Sequence, residues 1–137
     1  VDITGMAGKI SVDNVTVAID AGFAVSPDGL TAQMESGVIY GLTAALYGEI
    51  SIENGRVKQS NFNDYPMVRM NDAPLIETHI INSLESWGGA GEPGTPGTAP
   101  ALTNAIFSAT GIRIRELPII NYELDVASAD DRTQLGS

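Results

Sequence analysis

At 137 residues and 43% hydrophobic content, the chain is one domain's worth of material with enough apolar residues for a core, which excludes disorder over most of it. A formal net charge of −10, from 17 acidic against 7 basic residues, excludes nucleic acid or an anionic membrane surface as the main partner, since both demand clustered Lys and Arg. The absence of cysteine excludes disulfides, Cys-ligated zinc, iron–sulfur ligation and C-x-x-C-H haem attachment within these residues.

Residues 1–20 read as strands: VDIT, a GMAG turn, then KISVDNVTVAID with β-branched residues at alternate positions. The opening VDITGMAGK has no basic region and no apolar run, so no signal peptide is expected in it. Ile10 and Val12 share one phase of the alternation, whereas Val15, Val17 and Ile19 share the other. A slip near Asp13–Asn14 predicts a bulge or a change of buried face.

Residues 26–47 carry the strongest helical pattern. Ser26 suits the N-cap, Pro27 the first helical position, and Asp28 the positive end of the helix dipole. Leu30, Met34, Val38, Leu42 and Ala45 recur at three- and four-residue steps, and Gly48 ends the pattern. Gly37 and Gly41 lie one turn apart and each costs ~1 kcal/mol of helix stability relative to Ala, so close packing, most simply on a sheet, is expected there. The longest uncharged apolar-leaning run, Ser36 to Gly48, falls short of the ~20 residues that span a bilayer.

GEISIENGRVKQS predicts a hairpin about a type I′ turn at Asn54-Gly55. NFNDYPMVRM, residues 61–70, reads as an ordered loop, and LIETHII, residues 75–81, as another strand. A Gly/Pro segment follows from Gly88 to Pro100. ALTNAIFSAT, residues 101–110, predicts a second helix capped by Gly111. RIRELPII suits a strand or extended segment, and a mobile tail is expected from Asn121. Strands and helices without regular alternation indicate an α+β fold, with short mixed strands and hairpins around two main helices.

Few residues here suggest chemistry. GAGEPG, Gly89 to Gly94, spells the dinucleotide-binding G-x-G-x-x-G, but Glu92 would repel phosphate, Pro93 and Pro96 remove amide donors, and the predicted helix starts too late. His79, the only histidine, makes neither a metal site nor a triad and reads as a structural residue. Trp87 reads as a packing anchor, with a pocket wall as the alternative. Asp20, Glu35, Glu49, Asp64 and Asp72 show no metal-cage spacing. One carboxylate in a glycine-rich loop, Glu92, is left as the candidate, because long loops of this composition within a domain are functional or disordered.

GGAGEPGTPGTAPALTNAIFSATGIRIRELPI resembles the end of the molybdenum-cofactor subunit of the xanthine dehydrogenase/aldehyde oxidase family, most of all its isoquinoline 1-oxidoreductase branch and related aldehyde dehydrogenases. VAIDAGFAVSPDGLTAQMESGVIYGLTAALYGEI, NGRVKQSNFNDYPMVRMNDAP and IETHIINS agree in order and spacing, so the resemblance covers about residues 9–120. Ala21, Ser26, Asn63 and Gly97 depart from the residues usual in that branch.

The resemblance implies that residues 1–120 are a C-terminal segment of a molybdopterin-binding domain and that 121–137 form a tail. It implies hydroxylation of an aldehyde or N-heterocycle, with water as the oxygen source. Glu92 would be the general base at the metal-bound hydroxide, and Gln33 and Gly91 would contact the cofactor. The metal would have no protein ligand, being held by the pterin dithiolene. The implied cofactor is molybdopterin, its cytosine dinucleotide form included, with 2Fe-2S clusters on a partner chain. Implied partners are the remainder of the molybdenum subunit, an iron–sulfur subunit, a cytochrome c or flavin subunit, and a small-molecule substrate. A non-catalytic structural or assembly subunit is the alternative.

Overall fold

The computed structural model describes residues 2–6 and 9–124. β1 (Asp2–Met6) pairs antiparallel with β2 (Lys9–Ile19), which pairs along its other edge, in parallel, with β5 (Leu75–Ile80). β2 changes partner midway: it serves β1 up to Asn14 and β5 from Asn14 onward. At that point Asp2 faces Asn14 while Ile3 faces Val12, so Asp13 is the extra residue of a bulge. The bulge resets the side-chain phase and lets Val12, Val15 and Ile19 all reach the core. The slip in the sequence pattern thus marks a change of strand partner. The GMAG turn expected after the first strand falls partly on residues 7 and 8, outside the described residues.

Between the parallel strands runs α1 (Pro27–Tyr47), followed by a small hairpin of β3 (Ile52–Glu53) and β4 (Arg56–Val57). The turn of that hairpin has Asn54 at φ 51° and Gly55 at φ 75°, both left-handed as a type I′ turn requires. Ser26 does stand before α1, yet its hydroxyl makes no capping bond; Pro27 opens the helix and Leu30 N–H closes its first turn on the Ser26 carbonyl at 3.0 Å. In the loop after the hairpin, the Asp64 carboxylate accepts bonds from the amides of Ser60 and Asn61, which orders a stretch without periodicity.

The predicted stripe of α1 is buried throughout: Met34, Val38, Leu42 and Ala45 are at most 2% exposed. Val38, Leu42 and Ala45 meet Leu102 and Ile106 of α2 (Thr98–Thr110), together with Val12 and Val15 of the sheet, while Leu30 and Met34 pack with Ile19. Each large side chain so enclosed stabilises the fold by roughly 1.5–3 kcal/mol. α2 begins at Thr98, three residues before its apolar pattern, because Pro100 falls in the first turn, where a missing amide leaves no helical bond unmade.

Two expectations are corrected. Gly37 and Gly41 do not face a sheet. A Cβ on Gly37 would lie 3.1 Å from Gly94 Cα, and one on Gly41 would lie 2.8 Å from both the Thr95 carbonyl oxygen and Thr98 Cβ. The glycines admit the Gly/Pro loop and the start of α2. The mobile tail from Asn121 is also wrong over its first four residues. A 3-10 turn at Ile119–Asn121 leads the chain back, the Tyr122 hydroxyl accepts the amides of Arg115 and Glu116, and Leu124 is buried in the core. Apolar side chains at 119, 122 and 124 outweigh the polar sequence around them. The rest of the expected tail lies outside the described residues. RIRELPII, residues 113–120, forms no strand: it bends at Glu116 and Leu117 and ends in the 3-10 turn.

Candidate functional site

The carboxyl ends of β2 and β5 lie side by side, the end at which crossover folds place their ligands. The two segments leaving them are stitched together. Ile81 N–H donates to the Ile19 carbonyl at 2.8 Å and Gly88 N–H to the Ala21 carbonyl at 3.2 Å. The Asp20 carboxylate accepts the Ser83 hydroxyl at 2.7 Å and Gly22 N–H at 3.0 Å. Gly22 sits at φ 75°, and a Cβ there would lie 3.0 Å from the Glu85 carbonyl oxygen. The chain therefore enters the glycine loop from a fixed point.

These two bonds, the Ser83 hydroxyl first and the Gly22 amide second, hold the Asp20 carboxyl below its ordinary value of 3.8. A depressed folded-state pKa means the stitch is complete above pH 3.8 and is lost as pH falls through the lower folded value. We expect the Gly22 amide proton to move upfield in an NMR titration with a midpoint below 3.8. In Asp20→Asn that resonance should stay flat; a midpoint at or above the ordinary value would show that the carboxylate is not engaged.

Within the loop, Thr95 N–H donates to the Glu92 carbonyl at 2.9 Å and closes a turn with Pro93 and Gly94 at its centre. Gly94 has no positive φ; it is glycine because a Cβ would lie 2.9 Å from the Met34 carbonyl oxygen of α1. Gln33 reaches from α1 to donate Nε2–H to the Gly91 carbonyl at 2.6 Å. The Thr95 hydroxyl donates to the Gly37 carbonyl at 3.2 Å, and the Thr98 hydroxyl to the Gly94 carbonyl at 2.9 Å. The peptide groups on both sides of Glu92 are thus hydrogen-bonded, and Pro93 fixes the next φ. The carboxylate itself is exposed.

Two clefts meet at this loop. One of about 480 Å³ is lined by Gln33, Ser36, Tyr40, Gly91, Glu92 and Thr95. The other, about 470 Å³, has Phe23, Val25, Trp87, Gln33 and Gly91 in its walls. Gln33 and Gly91 belong to both, so the three residues singled out from the sequence come together. Trp87 is 76% exposed and stands as a wall of the second cleft, not a packing anchor. His79 lies on the exposed face of β5, 3.1 Å from the Glu77 carboxylate. Thr95, Thr98 and Asp20 were not identified as site residues from sequence. The available signals were short, E-P-G-T as a turn and D-x-G as an Asx turn.

Does the site suit a bulky cofactor? Gly89, Gly91 and Gly97 have ordinary φ, and a Cβ on any of them would meet no described residue within 4 Å. Neither backbone conformation nor internal packing accounts for them, whereas a large group lying against the loop would. Gln33 keeps its Oε1 and one amide hydrogen uncommitted among the described residues. No group of three or more His, Cys, Asp or Glu converges among the described residues, so a metal here would bring its own ligand. The residues fit a pterin-type group that carries its metal on itself.

Residues 1–74 match the family model described as molybdopterin cofactor-binding domain. The chain belongs to that family, as part of a molybdopterin-binding subunit of the xanthine dehydrogenase type. It is similar to the membrane-bound aldehyde dehydrogenase [pyrroloquinoline-quinone] of Gluconacetobacter polyoxogenes, 37% identical over 87% of this chain and 15% of that one. It is also similar to isoquinoline 1-oxidoreductase subunit beta of Brevundimonas diminuta, 38% identical over 80% of this chain and 14% of that one. Quinoline 2-oxidoreductase from Pseudomonas putida 86 shares the fold, with a TM-score of 0.75 at 18% identity over 82% of this chain and 16% of that one. The chain therefore spans about one seventh of the length of the relatives it matches.

Proposed function

We propose that this chain contributes the general base and one wall of the cofactor cradle to a molybdenum hydroxylase that oxidises an aldehyde or an N-heterocycle, with water as the oxygen source. One observation carries the reading. Glu92 stands at a cleft on a turn where the peptide carbonyls on both its sides, Gly91 and Glu92, are hydrogen-bonded, beside glycines whose Cβ positions no described residue fills. When bound, molybdopterin, its cytosine dinucleotide form included, supplies a Lewis-acidic centre that activates water-derived oxygen and accepts two electrons. Glu92 would accept a proton from that water-derived oxygen on a carboxylate oxygen. Gln33 Oε1 and the backbone at Gly89 and Gly91 would hold the pterin, and Pro93 keeps the base from wandering.

Residues 1–120 are read as a C-terminal segment of the molybdopterin-binding domain, with the packed stretch to Leu124 adjoining it. The remainder of the molybdenum subunit would cover the exposed Phe23, Val25, Leu84 and Trp87. An iron–sulfur subunit carrying 2Fe-2S clusters would take the electrons, with a cytochrome c or flavin subunit as the next acceptor.

Gln33→Ala is expected to lower turnover several-fold and to reduce molybdenum occupancy, because the Gly91 carbonyl loses a bond worth about 1 kcal/mol. Unchanged metal content and kinetics would remove Gln33 from the site. The quinone in the name of one relative supplies a second reading, so molybdenum and pyrroloquinoline quinone should both be measured in the purified assembly. Stoichiometric molybdenum without the quinone supports the hydroxylase. A quinone-loaded, molybdenum-free enzyme overturns it, and an assembly with neither would be a structural subunit.

A further inference from the structure

We propose that Thr95 is a positioning residue for the Glu92 carboxylate, acting through the backbone of the turn it closes; this rests on Glu92 being the base. Thr95 holds the loop at two points. Its amide donates to the Glu92 carbonyl at 2.9 Å and fixes the peptide plane that leaves the base. Its hydroxyl donates to the Gly37 carbonyl at 3.2 Å and fastens the same turn to α1. The hydroxyl can reach that carbonyl only because Gly37 and Gly94 bring the two backbones together, with a Cβ on Gly37 placed 3.1 Å from Gly94 Cα. Gln33 holds the loop upstream of Glu92 and Thr95 holds it downstream, so the Glu92 Cα is suspended between two tethers that both end on α1. Removing the downstream tether leaves the carboxylate chemically intact and free to shift. A reacting group displaced by about 1 Å can lose up to ~10²-fold in rate.

The loss should fall on kcat. Thr95 belongs to the cleft wall only on the side away from Trp87, and the second cleft does not include it. The test compares Thr95→Val, which keeps the shape and deletes the donor, with Thr95→Ser, which keeps the donor. In the assembled enzyme Thr95→Val is expected to lower kcat roughly tenfold with KM unchanged, and Thr95→Ser to restore at least half of it. In cofactor-free protein, hydrogen exchange of the peptide spanning residues 88–97 should quicken in Thr95→Val and return to the wild-type rate in Thr95→Ser. If Thr95→Val does not assemble, Thr95→Ala is read by the same criteria. Wild-type exchange together with turnover within twofold overturns the tether, and so does a loss that Thr95→Ser leaves in place. An active Glu92→Gln enzyme would instead remove Glu92 as base, while the exchange rates still decide whether Thr95 fastens the turn.

Discussion

Glu92→Gln is expected to assemble normally, hold its full complement of molybdenum, and turn over ~10²–10⁴-fold more slowly than wild type. Glutamine keeps the volume of the side chain, and none of the bonds that shape the loop uses the carboxylate. Those bonds run to the Gly91, Glu92, Gly94 and Gly37 carbonyls. Assembly and chemistry should therefore separate cleanly in this variant. What glutamine cannot do at neutral pH is accept a proton. The loss should appear equally in kcat and kcat/KM, since the missing interaction belongs to the transition state. Substrate should fail to reduce the variant in a single turnover, while an artificial reductant still does. Turnover within tenfold of wild type would reduce Glu92 to a loop residue.

The parts of this site legible in the sequence were those with a local signature. Leu30, Met34, Val38, Leu42 and Ala45 declare one helix face by their spacing, and all five prove buried. Asn54-Gly55 declares a turn through its left-handed backbone, and the phase slip at Asp13 declares a bulge. Glu92 stood out for a different reason: it is a lone carboxylate where composition allows only a linker or a working loop. The remainder depended on contacts far apart in the chain. Gln33 and Gly91 are 58 positions apart, as are Gly37 and Thr95, and no periodicity can reveal such a pair. The glycine pattern in α1 was visible, but what it admits was not, because a helix face carries no mark distinguishing a sheet from a loop. The order at Tyr122 and Leu124 was hidden similarly, since two apolar side chains in polar surroundings become informative only once a core waits for them.

Two groups of glycines among the described residues have opposite expected behaviour, and Gly41 gives the larger effect on folding. A Cβ there would lie 2.8 Å from the Thr95 carbonyl oxygen and 2.8 Å from Thr98 Cβ. Neither neighbour can rotate away, one being backbone and the other the branch point of a side chain already bonded to the Gly94 carbonyl. Gly41→Ala gains about 1 kcal/mol in helix propensity but forces overpacking that costs about 1–3 kcal/mol. Gly41→Val adds bulk at the same point and loses most of the propensity gain. We expect the alanine variant to melt slightly below wild type and the valine variant well below it, with α2 and the Glu92 turn lifted off α1 together. Gly89 is the contrasting case, because a Cβ there meets nothing within 4 Å. Gly89→Ala should leave the melting temperature of cofactor-free protein unchanged and, on the proposed reading that the open glycines face the cofactor, still reduce molybdenum loading. Melting curves and metal analysis on the two alanine variants separate the groups. Equal loading in Gly89→Ala and wild type would show that the open glycines face solvent alone, and a Gly41→Val protein as stable as wild type would show that α1 and the loop do not meet as closely as these distances require.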